Sequence, residues 1–441
     1  MHVTTVDHYL PEPGTFMHWT VPTEPTGVAS PIPPSFNQLV HLSGAESGSI
    51  WLAAAFDVPG ALDRARLAAA YRALIARHGT LRSSFTATPS GPRRVLHPTP
   101  PHLEPQPDQP HTCATTLRET LRRHSDIACA PFAERSYLLA AIDRPHTATI
   151  VCAFDHAHVD AYSIAIVIED LRQLYLGVTP ELLSPTGSFV DFCATPVEFG
   201  PDDPRLAGWR AFFGDQGVTP PTFPLDLGLA PGQRAPQAVE LRHLLSAEDT
   251  DSYESFCRTQ QAGLFAGTLA ALAHSVDAIG GGDRLRLLFP LHTRREPQWH
   301  HAVGWFTANA PVTVTVTPEL ADTIHAAQSA VRAAIDLGTV PLAETLHALG
   351  GLRPHHADIF MASYVDYRRL PGAAHHRAIN ATHISNTGSA DDVQLWLSRS
   401  DNGLALRARS PSTPTAHEVV GALLDQVQRT LRTAHLARVG G

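Results

Sequence analysis

Between Phe154 and Ser163 the chain reads Phe-Asp-His-Ala-His-Val-Asp-Ala-Tyr-Ser, which sets two imidazoles and two carboxylates within six residues. Two chemistries suit that set. If His156, His158 and Asp160 alternate along an extended backbone, all three project to one side and could ligate a metal, as in hydrolases built on His-x-His-x-Asp-His. Here the sixth position of that pattern is Ala161. Alternatively, His156 is a general base at a strand end, because imidazole can take a proton from a hydroxyl or amine near neutral pH. Asp160 is then structural and pairs with a cation elsewhere. A plain alternative treats the segment as a buried strand end carrying two surface histidines.

Three elements must position this segment. The run 146–156 is strand-like, 157–161 forms a short loop, and 162–176 has Ile164, Val167, Ile168, Leu171 and Tyr175 at helical spacing. A loop held between two rigid elements is a good setting for catalytic groups. Upstream, 49–58 reads as a strand, Asp63 as the cap of a helix ending at Gly79, 81–87 and 94–96 as strands, 112–123 as a helix and 136–142 as a strand. The first 35 residues are rich in Pro and polar residues and are expected to wrap the surface. Downstream, the sequence predicts helices over 256–278, 321–335 and 417–434. It predicts strands over 284–291, 311–317 and 359–365, and a hairpin from 392–397 and 404–408. The mixed order indicates α+β halves: 1–185, a Pro-rich crossover over 186–237, and 238–441.

Composition narrows the chemistry. Of 441 residues, 43 % are hydrophobic and 17 % charged, enough for packed cores, and a net charge of −9 argues against nucleic acid as the main partner. No lysine occurs, which excludes Schiff-base lysine chemistry and a Walker phosphate loop. No run is long and apolar enough to span a membrane and no secretory signal is visible, so a cytoplasmic protein is expected. The scattered Cys113, Cys129, Cys152, Cys193 and Cys257 read as reduced, mostly buried thiols.

The same segment resembles the HHxxxDG motif of the condensation domains of nonribosomal peptide synthetases and, more broadly, the chloramphenicol-acetyltransferase-like, CoA-dependent acyltransferases. In register, Asp155 takes the first His, His156 the second, Asp160 the Asp, Ala161 the Gly and Ser163 the Ser that often follows. Other motifs follow in order. Arg77 to Phe85 resembles RHExLRTxF, and Phe189-Val190-Asp191-Phe192 resembles YxDY. Arg294-Arg295-Glu296-Pro297 with Val303-Gly304-Trp305-Phe306 resembles GRxxPE…IGxF. Ser363 to Arg368 and Trp396 to Arg409 most resemble the free-standing branch that includes polyketide-associated acyltransferases of actinobacteria. The likeness spans roughly residues 35–435.

The resemblance implies two acetyltransferase-like αβ sandwich halves in a V-shaped pseudo-dimer with a central tunnel. It implies a stand-alone, monomeric acyltransferase with no permanently bound cofactor and no metal. The donor would be a CoA or phosphopantetheine thioester, delivered as acyl-CoA or by an acyl or peptidyl carrier protein. A small-molecule hydroxyl or amine would accept the acyl group in secondary-metabolite or lipid biosynthesis. His156 would be the base and Asp160 would form a structural ion pair with Arg294. Asp155 is a departure: on a strand its side chain points away from His156, and its carboxylate needs a donor. Asn309, Trp305, Tyr162 and Ser163 are candidates for tunnel lining or the oxyanion site. For Asn309 the alternative is a loop-capping amide, and for the aromatics a place in the core. The pairs Arg93-Arg94, Arg122-Arg123 and Arg368-Arg369 could meet CoA phosphates or an acidic carrier, or be solvated surface. Two other functions stay open: a non-catalytic domain that recruits a partner, and the His156/His158/Asp160 metal hydrolase. Acyl chain, acceptor and ester versus amide product are not written in the sequence.

Overall fold

A computed structural model describes residues 1–22, 27–44, 48–98, 101–214 and 218–439, with side chains to 433. Compactness divides the chain into two units, one of residues 1–196, 293–307 and 369–388, the other of 197–292, 308–368 and 389–441. This differs from the sequential halves expected from the sequence. The reason is pairing: two later segments return to the first unit because their hydrogen-bond partners lie there. The expected 186–237 crossover also carries helices, Phe189–Cys193 and Arg205–Phe213, while residues 215–217 lie outside the described residues.

The first unit is built on a sheet of eight strands among the described residues. Its order is His2–Thr5, Thr382–Ser385, Trp51–Pro59, Thr147–Asp155, Tyr137–Asp143, Thr15–Thr20 and Glu104–Pro105, with Gln109–Pro110 also on Thr15–Thr20. The N-terminal segment is therefore not a surface wrap. Thr15–Thr20 pairs with Tyr137–Asp143, and Phe16 and Met17 are core residues. In mid-sheet, Thr147–Asp155 is apolar on both faces. Ile150, Cys152 and Phe154 join one core cluster, Val151 and Ala153 the other. Both faces being covered explains why this strand reads as a continuous apolar run.

The helix Ala161–Tyr175 packs on that sheet through Ile164, Val167, Ile168 and Leu171, all of them buried. Asp160 caps its N-terminus by accepting from the Ser163 N–H at 2.7 Å. Gly177, at φ +94°, ends it in the left-handed conformation that glycine allows, with Val178 N–H returning to the Gln173 carbonyl.

The second unit has a seven-stranded sheet ordered Thr307–Thr315, Arg284–His292, Met361–Asp366, Gln394–Ser400, Gly403–Pro411, Ala235–Leu245 and Ser389–Ala390. The expected hairpin is present as the antiparallel pair Gln394–Ser400 and Gly403–Pro411. The single helix expected over 256–278 is instead two, Ala247–Thr259 and Leu264–Ala278. The apolar spacing reads through the joint, but Gln261 takes φ +56° and breaks the helical backbone. Among the described residues no helix is long and apolar enough to cross a membrane.

Candidate active site

The Thr147–Asp155 strand ends at the chemistry. His156 N–H still donates to the Ile50 carbonyl at 2.9 Å, but His158 N–H turns back to the Asp155 carbonyl at 3.0 Å. The alternation behind the metal-site reading is therefore absent: 156–158 is a turn, not an extended run. Asp160 is committed to a guanidinium, and His158 bonds Thr80 Oγ1 at 3.1 Å and stacks on Phe85 at 5.4 Å. Among the described residues no group of three or more His, Cys, Asp or Glu is placed to hold a metal ion.

The turn fixes the tautomer of His156. Its Nδ1 lies 2.8 Å from the Val159 carbonyl, which can only accept, so Nδ1 carries the proton and Nε2 keeps its lone pair. Among the described residues no hydrogen bond engages Nε2. The ring is half-buried and stacks on Trp305, centroids 4.0 Å apart and planes 22° from parallel. Its dense surroundings disfavour charge. Burial, then His41, pull the imidazole below its usual range.

Asp160, four residues past His156, forms a buried ion pair with Arg294. Arg294 Nη1 donates to Oδ2 at 2.8 Å and Nη2 to Oδ1 at 3.0 Å. With the capping Ser163 N–H as a third donor, Phe306 N–H adds a fourth at 3.1 Å. Burial alone would raise the Asp160 carboxyl, but Arg294 and the Ser163 N–H bring it below its ordinary value. Arg294 also donates to the Ala302 and Gly304 carbonyls and is sandwiched by the rings of Tyr162 (4.6 Å) and Phe306 (4.4 Å). Ser163 Oγ donates to the Gly304 carbonyl and accepts from Gly304 N–H and Arg294. One donor and two acceptor sites are all that a hydroxyl has. Ser163 is thus a clamp on residues 302–306, with nothing left for an oxyanion, and Tyr162 is a partner of Arg294. Asn309 sits on the Thr307–Thr315 strand, not in a loop, and belongs to the second unit.

Other motif residues brace the site. Arg77 Nε and His78 Nε2 both reach Asp170 Oδ2, at 2.8 and 2.9 Å, tying the Arg64–Arg77 helix to Ala161–Tyr175. Gly304 lies against the Phe189 ring, where any Cβ would overlap it. Arg94 was expected at the surface but is only 1 % exposed. It bonds Gln38 Oε1 at 2.8 Å, and Gln38 Nε2 donates to the Ala157 carbonyl at 2.7 Å, pinning the turn below His156. Arg122 pairs with Asp7 and Arg368 with Asp366. The cysteines are free thiols; Cys129, Cys152 and Cys257 are buried, Cys193 half-buried and Cys113 exposed.

Sequence reasoning missed His41. It lies on the helix Phe36–Ser43, and its Nε2 donates to Asp155 Oδ2 at 2.8 Å.

The condensation-domain family model matches residues 32–350. The chain belongs to the condensation domain family. Among family relatives, acyltransferase PapA3 of Mycobacterium tuberculosis is 24 % identical over 96 % of this chain and 94 % of its own length. The 2'-acyl-2-O-sulfo-trehalose (hydroxy)phthioceranyltransferase PapA1 of Mycobacterium bovis is 25 % identical over 97 % of this chain and 88 % of its own. In structure, the condensation-family fold matches the PapA2 acyl transferase at a TM-score of 0.87, with 22 % identity, over 99 % of this chain and 100 % of that one. It matches the condensation domain of the Monacolin K polyketide synthase MokA at 0.72, with 18 % identity, over 92 % and 97 %.

Proposed function

We propose that this chain is an acyltransferase that moves an acyl group from a thioester to a hydroxyl or amine acceptor, with His156 as general base. The observation that carries the reading is the Val159 carbonyl on His156 Nδ1, because it leaves Nε2 unprotonated on a half-buried ring. The acceptor's O–H or N–H proton passes to Nε2 while its heteroatom bonds to the thioester carbonyl carbon. The tetrahedral oxyanion then collapses, the C–S bond breaks, and Nε2–H returns the proton to the leaving thiol. General-base help of this kind is worth about 10²–10⁴-fold. The lowered affinity of His156 for protons keeps it neutral at pH 7.

The donor is a CoA or carrier-borne phosphopantetheine thioester, and the acceptor a small molecule. Because PapA1 bears a trehalose ester in its name, sugar hydroxyls are the first acceptors to try. The test is transfer from labelled acyl-CoA or acyl-carrier thioesters to trehalose, 2-O-sulfo-trehalose and amine acceptors, read by mass spectrometry. His156→Ala should fold and lose about 10²–10⁴-fold in kcat. Undiminished turnover in that variant removes His156 from the role of base.

A further inference from the structure

Asp155, which stands where the motif usually has its first His, is wholly buried and adjoins the catalytic imidazole in sequence. A lone carboxylate there would be costly. Its oxygens are met by the Ala157 N–H at 2.9 Å and by His41 Nε2, at 3.0 Å from Oδ1 and 2.8 Å from Oδ2. A carboxylate accepts only, so His41 carries its proton on Nε2 whatever its charge. The His41 side chain is itself only 4 % exposed. Its ring meets Trp305 edge-on, 6.0 Å between centroids, and lies 6.4 Å from the His156 ring. Trp305 in turn stacks on His156. His156 is thus backed by one indole, and the indole by a second imidazole anchored to the neighbouring carboxylate.

We infer that His41 is a positioning residue for His156: joined to Asp155, it offsets the carboxylate beside the base and wedges Trp305 against the base's ring. The inference rests on the reading of His156 as base. The titratable groups that act on the dyad are His156 and His158 from the turn and Cys129 beside Asp155. Asp155 favours the protonated form of His156 and His41 opposes it. Removing His41 alone leaves the carboxylate held by the Ala157 N–H, with no imidazole beside it. Removing the carboxylate as well takes away the field that made the loss matter.

The experiment is a pH titration of histidine ring signals by NMR in the full chain labelled at histidine, with the His156 signal assigned by its loss in His156→Gln. His41→Gln should raise the His156 midpoint by about one pH unit. His41→Gln/Asp155→Asn should bring it back toward the wild-type value. In parallel, His41→Gln should lower kcat with KM little changed, and the double variant should recover part of the loss. An unmoved midpoint in His41→Gln, or a double variant no closer to wild type than the single, overturns the inference. If His41→Gln does not fold, Asp155→Asn is compared with the double variant; a lower midpoint in Asp155→Asn supports His41 as a neighbouring charge, and equal midpoints refute it. Full turnover by His156→Gln would instead defeat the general-base reading, and the NMR midpoints would still judge the dyad.

Discussion

Asp160 and Arg294 are 134 residues apart in the chain and meet through both carboxylate oxygens and both terminal guanidinium nitrogens. Each is almost out of water, so neither can be removed without stranding the other. Arg294→Met should cost about 3–5 kcal/mol. Asp160→Asn should be milder than Asp160→Ala by about 1 kcal/mol, since Asn still caps the Ala161–Tyr175 helix. The Asp160→Asn/Arg294→Met double variant should recover part of the loss, because it leaves no uncompensated charge. Urea unfolding of the wild type and the four variants checks the order. A double variant as unstable as the sum of its parts would show that the two side chains are not coupled.

Gly304 carries a tighter constraint than its place in a loop suggests. A methyl there would overlap the Phe189 ring, which is itself fixed edge-on against Phe306, 4.8 Å between centroids. Gly304→Ala should destabilise the protein by about 1–3 kcal/mol. The overlap is with Phe189 Cβ and Cγ, which leucine also carries, so adding Phe189→Leu should not restore the lost stability; a melting temperature for the pair back at the wild-type value would contradict this.

Gln38 links the buried Arg94 to the turn below His156. Replacing it with Leu removes the donor to the Ala157 carbonyl and the acceptor for Arg94, each loss worth about 1–3 kcal/mol when the partner stays buried. Because the turn sets the aim of His156, kcat should fall in Gln38→Leu while KM holds. Steady-state kinetics decide this; a raised KM with kcat unchanged would assign Gln38 to ground-state binding.

His158 makes stability depend on acid. Burial lowers its imidazole from 6.5 to about 4, with Asp155 opposing and Arg94 assisting. The folded protein therefore holds His158 neutral in a pH range where the unfolded chain protonates it. The sign is that of a depressed group: its contribution is complete above pH 6.5 and is lost as pH falls toward 4. Over that window the loss amounts to roughly 3 kcal/mol. His158→Asn should flatten the slope of the urea midpoint between pH 6.5 and 4. An unchanged slope would mean that other groups govern the acid limb.

Legibility followed locality. The strand, turn and helix around His156 stood out because Thr147–Asp155 is apolar on both faces and Ala161–Tyr175 packs along one stripe, both of which are patterns of neighbouring residues. The motifs carried by the resemblance led to Arg294 as the partner of Asp160. What escaped depends on partners far along the chain. Thr382–Ser385 is four residues long and gains its identity only by pairing with Trp51–Pro59 and His2–Thr5. The His41–Asp155 contact joins residues 114 apart, and nothing near His41 announces it. Arg94 looked like surface because charge usually is; its burial comes from Gln38 and the Phe85 ring, 5.4 Å from the guanidinium.

The place of Thr382–Ser385 in the first sheet bears on biosynthesis. Until that strand has left the ribosome, Trp51–Pro59 has one open flank, lined by Trp51, Leu52 and a run of alanines. An unsatisfied backbone edge of that kind invites pairing with other nascent chains. Protein made up to about residue 200 and halted there should therefore gather into aggregates, and release of the remaining sequence, or a chaperone covering that flank meanwhile, is what carries the nascent protein past the hazard.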